Sequence, residues 1–119
     1  MKHILIILSV LMSISIAHAD TKVSGKKVFK RCVSCHSFTK TKIGPPLGNI
    51  FDKKAGSVIG FKYSKPMKNS DIIWNDCTLD KFLEKPRKHI KGTKMRFSGL
   101  KKKSHREAVI KYLKENQVK

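Results

Sequence analysis

Apolar and polar positions follow several distinct rhythms along this chain. From Ile4 to Ala17 nearly every residue is apolar, with Lys2 and His3 ahead of the run and the small-x-small ending Ala17-His18-Ala19 behind it. A basic head, a short apolar stretch and a small-residue site read as an export signal, 1-19, cleaved before Asp20. The run of 14 residues falls short of the roughly 20 needed to span a bilayer. After it a helical period recurs three times. Val28, Phe29, Cys32 and Val33 share one face of a helix that Ser24 caps. Leu79, Phe82 and Leu83 recur at i, i+3 and i+4, with Thr78 as cap and Pro86 as the stop. Val109, Ile110, Tyr112 and Leu113 follow Ser104-His105-Arg106-Glu107, a capping box with serine at N-cap and glutamate at N3.

Between these helices the punctuation is strong. Gly44-Pro45-Pro46-Leu47-Gly48 breaks regular structure, Phe51 to Gly60 reads as loop, and Ser64 to Asn69 as one short helical turn. Pro86 to Leu100 shows no convincing period. No alternating strand pattern, repeat or linker interrupts the chain. The fold class expected is therefore all-α, one domain over 20-119, with 3-5 helices joined by long loops and the last helix packed back on the first.

Removing the signal leaves 100 of the 119 residues. A domain of that size buries only about 60–65% of its unfolded surface and benefits from a cofactor as core. Cys32-Val33-Ser34-Cys35-His36 supplies the means to hold one. A C-x-x-C-H run is the attachment pattern of c-type haem: two thiols on one helical turn add to the vinyl groups, and the next imidazole lies under the iron. Cys32 and Cys35 are then the thioether residues and His36 the axial ligand. A prolyl carbonyl in the loop that follows, with Pro45 the choice, accepts the hydrogen bond from the far ring nitrogen of His36 and strengthens it as a ligand. Met95 is the candidate second ligand, because a neutral thioether suits haem iron; Met67 is its rival in the mature chain. Trp74 is a candidate donor to a haem propionate, against plain core packing.

Three other readings of C-x-x-C compete: a redox dithiol, half of a zinc site, or a structural disulfide. A redox motif would follow a strand, yet the residues before Cys32 look helical. A structural zinc site needs two further ligands at short spacing, and Cys77 and His89 are far apart. Cys77 leaves an odd cysteine, read as a buried or incidental thiol. Export places the chain in the periplasm of a bacterium, where haem is attached to exported chains.

An ordered set of segments carries a broader resemblance. Gly25-Lys-Lys-Val-Phe29, Cys32 to His36, Gly44-Pro-Pro-Leu47, Gly60-Phe-Lys-Tyr-Ser64, Ile73-Trp74, Pro86, Gly92-Thr-Lys-Met95, Phe97-Ser-Gly-Leu100 and Ala108 to Leu113 resemble class I cytochrome c of the mitochondrial and alphaproteobacterial type. The resemblance covers essentially the whole mature chain. It implies a small cytochrome c fold wrapped round one covalently bound haem c, with metal ligands His36 and Met95. It further implies Tyr63 and Trp74 hydrogen bonding a propionate, Pro45 behind the histidine, Thr93 in a hydrogen-bonding role beside the haem, and Gly25 and Phe29 packed on Val109 and Tyr112. There are departures. Lys53 stands where relatives often carry arginine, Phe82 where many carry tyrosine, and Lys91 where proline is common.

Charge bears on partners. The chain has 27 Lys and Arg against 8 Asp and Glu, net +19, and +18 once Lys2 leaves with the signal. A nucleic-acid binder is the usual alternative for so basic a chain, and export argues against it. By the resemblance, Arg31, Lys42, Arg87, Lys88, Lys94, Lys101 and Lys102 ring an exposed haem edge. Such a ring steers transient docking onto acidic patches of membrane redox complexes. The function expected is that of a monomeric periplasmic electron carrier between a quinol–cytochrome c reductase and a terminal cytochrome oxidase, with possible peripheral membrane association. It is not expected to be an enzyme, since Met95 fills the sixth position; a small peroxidase-like haem enzyme or sensor with a labile ligand is the alternative.

Overall fold

In a computed structural model the described residues are 22–118, so the expected signal at 1-19 lies outside them. Five helices appear in chain order: α1 Gly25–Phe29, α2 Lys65–Lys68, α3 Asp76–Glu84, α4 Pro86–His89 and α5 Lys103–Glu115. Among the described residues there is no strand, only one isolated antiparallel bridge between Lys54 and Ile73. The all-α expectation is met, with long loops between the helices.

The ends of the chain make the frame. α1 crosses α5, and Gly25 allows the contact: a Cβ there would collide with the Ala108 carbonyl oxygen and lie 2.7 Å from Tyr112 Cβ. Phe29 stacks on Phe38 at 4.9 Å between ring centroids, and Tyr112 tilts against both. Val28, Phe29, Val109, Ile110 and Leu113 are all buried along this seam, each contributing on the order of 1.5–3 kcal/mol of transfer free energy. α3 also packs on α5, and its Leu79, Phe82 and Leu83 are buried.

Several boundaries differ from the sequence reading. Ser24 caps α1 as expected, its Oγ accepting from Lys27 N at 3.3 Å. The helix ends at Phe29, however, and continues to Cys35 as tighter turns, with Arg31 N bonded to Val28 O and Cys32 N to Phe29 O. Closing i to i−3 rather than i to i−4 changes the angular step per residue, and Val33 emerges exposed instead of sharing the buried face. Asn75, not Thr78, caps α3. Asn75 Oδ1 accepts from Thr78 N and Thr78 Oγ1 accepts from Asn75 N, each at 2.9 Å, a reciprocal box one turn earlier than the apolar pattern suggests.

Pro86 does end α3, and it also opens α4 as its first residue, where the missing N–H has no cost. Ser104 is not the cap of α5; the helix begins at Lys103 with no side-chain cap. Its entry is held instead by the buried Arg106, whose Nε donates to Asp80 Oδ1 at 2.8 Å and whose Nη1 donates to the carbonyls of Leu100 and Lys101 at 2.9 Å each. A buried guanidinium needs its donors filled, and filling them from 100–101 sets where the helix starts.

Candidate functional site

The turns after α1 present Cys32, Cys35 and His36 half-buried on one side of the molecule. His36 N bonds to Cys32 O at 2.8 Å, so the main chain of the motif closes one helical turn. Burial, together with the neighbouring Cys35, pushes the Cys32 thiol up, against the smaller opposing pull of Arg31. That direction is opposite to what a redox dithiol requires, since its attacking cysteine works as a thiolate with a depressed pKa. No disulfide joins Cys32, Cys35 and Cys77, and Cys77 is exposed rather than buried. Among the described residues no three His, Cys, Asp or Glu side chains gather as a zinc site would demand.

His36 is the most constrained of the set. Its Nδ1 lies 2.8 Å from Pro45 O and donates to it, which leaves Nε2 as the ring nitrogen with a free lone pair. Burial holds the imidazole below its ordinary pKa, the Pro45 hydrogen bond opposes that, and Lys42 adds to it. The neutral form, the one that ligates a metal, is therefore favoured near neutral pH. Gly44 closes on the ring: a Cβ there would collide with His36 Cε1 and lie 2.7 Å from Nδ1. Only a residue without a side chain lets the loop lie flat against the imidazole.

That loop is itself pinned. Gly44 N bonds to Cys35 O, Leu47 N to Ser37 O and Gly48 N to Phe38 O, at 2.8–2.9 Å. Met95 lies half-buried against the same core in the segment between α4 and α5, and its N–H donates to Thr93 Oγ1 at 3.3 Å. Met67, its sequence rival, is buried in α2 as core. Tyr63 Oη accepts from Val58 N at 3.3 Å, and burial raises its pKa against that hydrogen bond. Trp74 is buried, tilts on Phe82 at 5.1 Å, and has its main chain tied to Asp52 N and Lys53 O.

Two thiols on one turn, an imidazole with one nitrogen committed and one free, a thioether on a separate loop and an apolar lining have the donor chemistry a c-type haem requires. All seven basic residues named above are exposed. Arg31 lies with its guanidinium 5.2 Å from the Phe97 ring centroid, and Lys94 Nζ donates to Lys62 O at 3.2 Å. Two residues that sequence reasoning passed over, Arg106 and Gln117, tie the loops around the motif to α5. An arginine on a terminal helix and a glutamine beyond its last apolar residue both carry the signature of a solvated surface.

Comparison with known proteins agrees with this geometry. The family model for cytochrome c matches residues 23–117. The chain is 50% identical over 95 residues to "Cytochrome c type-1" of Ascaris suum, covering 77% of this chain and 85% of that one. It is 46% identical over 98 residues to "Cytochrome c2" of Rhodomicrobium vannielii, covering 80% and 78%. Among solved structures, cytochrome cH from Methylobacterium extorquens superposes with a TM-score of 0.75 at 36% identity, over 76% of this chain and 94% of that one. The chain belongs to the cytochrome c family, whose members carry electrons on one covalently attached haem c.

Proposed function

We propose that this protein is an exported, periplasmic one-electron carrier, with Cys32 and Cys35 as the thioether residues and His36 and Met95 as the axial ligands. The observation that carries the reading is the His36 Nδ1–Pro45 O hydrogen bond, which commits one ring nitrogen and leaves the other for iron. When bound, the haem supplies a one-electron ferric/ferrous couple. The protein's share is to hold it and tune it. His36, made more basic by Pro45, would donate electron density to the iron, and Met95 as a ligand would favour the reduced state. Thr93 steadies the Met95 backbone. Tyr63 and Trp74 serve the propionate side.

Arg31, Lys42, Arg87, Lys88, Lys94, Lys101 and Lys102 form the docking face. Their partners are membrane complexes with acidic patches, a quinol–cytochrome c reductase as donor and a terminal cytochrome oxidase as acceptor, met by a monomer in fast, salt-sensitive encounters. The relatives named cytochrome c2 support this placement. The test is the far-red methionine-to-iron charge-transfer band of the ferric protein, compared with Met95→Ala. The band is expected in the parent and lost in the variant. A parent without it has another sixth ligand, and the enzyme or sensor reading replaces this one.

A further inference from the structure

The carboxamide of Gln117, two residues past the end of α5, sits among four main-chain groups from two parts of the chain. Its Oε1 accepts from Ile50 N at 2.9 Å and, at a longer 3.4 Å, from Phe51 N. Its Nε2 donates to Leu47 O at 2.8 Å and to Leu113 O at 3.0 Å. The amide orientation is forced, since two N–H donors need an oxygen and two carbonyls need an N–H. Next to it Val118 N donates to Gly48 O. The residues after α5 thus hold the 47–51 segment in addition to Ser37 and Phe38, whose carbonyls hold Leu47 N and Gly48 N. Leu47 is bonded at both its N–H and its carbonyl, and the Pro45 carbonyl that accepts from His36 lies two residues before it.

We propose that Gln117 is a positioning residue for the axial histidine. Through Leu47 it fixes the Pro45 carbonyl against His36 Nδ1, and so sets the basicity of the ring and the reduction potential. This rests on the reading of His36 as an iron ligand. The side chain touches neither the imidazole nor the place of the haem; it acts only through the loop. Glutamine has the reach to bridge both carbonyls and both N–H groups, whereas asparagine is one methylene shorter and alanine fills none of the four.

The test is made on the haem-loaded protein. Gln117→Ala removes all four bonds. Gln117→Glu keeps an acceptor for Ile50 and Phe51 but sets a carboxylate oxygen against Leu47 O and Leu113 O, so it isolates the arm that reaches Pro45. Leu79→Ala, a core truncation on α3, removes none of the four and serves as the destabilised control. The measurements are solvent exchange of the His36 ring N–H in the ferrous protein by NMR, and the reduction potential. We expect about tenfold faster ring N–H exchange in both Gln117 variants than in the control, and a raised potential in Gln117→Ala, because a weaker bond to Pro45 makes the imidazole a poorer donor.

Parent-like exchange in both Gln117 variants, or equal acceleration in Leu79→Ala, overturns the proposal. The ligation reading fails separately: if the His36 ring proton of the ferric parent is not displaced by the paramagnetic iron, His36 is not a ligand, whatever the exchange rates show.

Discussion

The two walls of the site are built to different standards. The wall from Cys32 to Gly48 is laced with main-chain bonds of 2.8–2.9 Å from His36, Gly44, Leu47 and Gly48 to carbonyls of its own motif, and His36 adds its bond to Pro45. The wall from Gly92 to Leu100 carries Met95 on far less: Thr93 N to Ile90 O at 3.1 Å, Met95 N to Thr93 Oγ1 at 3.3 Å, Lys94 Nζ to Lys62 O at 3.2 Å, and a firm anchor only at its end, Leu100 N to Leu83 O at 2.7 Å. Local stability follows the density of satisfied backbone bonds and buried contacts. The histidine side is therefore the rigid reference and the methionine side the element that yields, a difference that the proposed His36/Met95 ligation would inherit.

Four changes probe that difference. The largest effect belongs to Cys32→Ser with Cys35→Ser, which removes both attachment points from the rigid wall. Covalent haem should vanish from the denatured chain by mass and pyridine haemochrome absorbance, and cooperative unfolding by circular dichroism should go with it. Retained covalent haem would show that other residues attach it.

Gly44→Ala comes next, because the added Cβ collides with the His36 ring. Overpacking of this kind costs about 1–3 kcal/mol. Guanidinium denaturation should show the loss, and the His36 ring N–H resonance should shift; an unchanged midpoint would mean that the rigid wall gives after all.

The third change acts on charge, which does not respect the two walls, since Lys42 lies on one and Lys94 on the other. Raising ionic strength from 0.01 to 0.15 M shortens the Debye length from about 30 to about 8 Å. Stopped-flow association with an acidic redox partner should slow by about tenfold or more, and Lys42→Gln and Lys94→Gln should each flatten the salt dependence to a similar degree. A salt-independent rate would remove the docking face from the account.

The smallest effect is expected from Thr93→Val, which deletes the acceptor for Met95 N on the yielding wall. One hydrogen bond is worth about 0.5–1.5 kcal/mol, which corresponds to up to about tenfold tighter displacement of Met95 by added imidazole. Loss of the far-red band reads this directly. An equal change in the ring N–H exchange of His36 would erase the distinction between the walls.

Much of this was legible from residue types alone. Periodicity located α1, α3 and α5 because burial on one face imposes a 3.6-residue repeat on apolar positions; α4, a single turn at Pro86–His89, is too short to show one. The C-x-x-C-H run named its own chemistry, since thioether attachment and axial ligation need those groups at that spacing. Pro45 was legible as well: a proline carbonyl is an acceptor in a loop that must lie near the histidine, and the structure has the bond at 2.8 Å.

What escaped was whatever depends on where distant segments meet. Thr78 and Ser104 both looked like caps, because serine and threonine before an apolar run fit the pattern. The true starts were set by Asn75, whose box with Thr78 begins one turn earlier, and by Arg106, which reaches Asp80 and the 100–101 carbonyls. Val33 continued an apolar face in the sequence, but the backbone tightens after Phe29 and turns it outward.

The sequence by itself determined the fold class, the haem-attachment motif and the basic surface, because each follows from local spacing or from composition. Only the tertiary structure decided that Gly44 lies flat on the imidazole and that Gln117, 70 residues beyond Leu47, grips the loop behind it. Hydrogen bonds between remote segments leave no periodicity in the chain, since their partners are chosen by how the helices pack rather than by their neighbours in sequence.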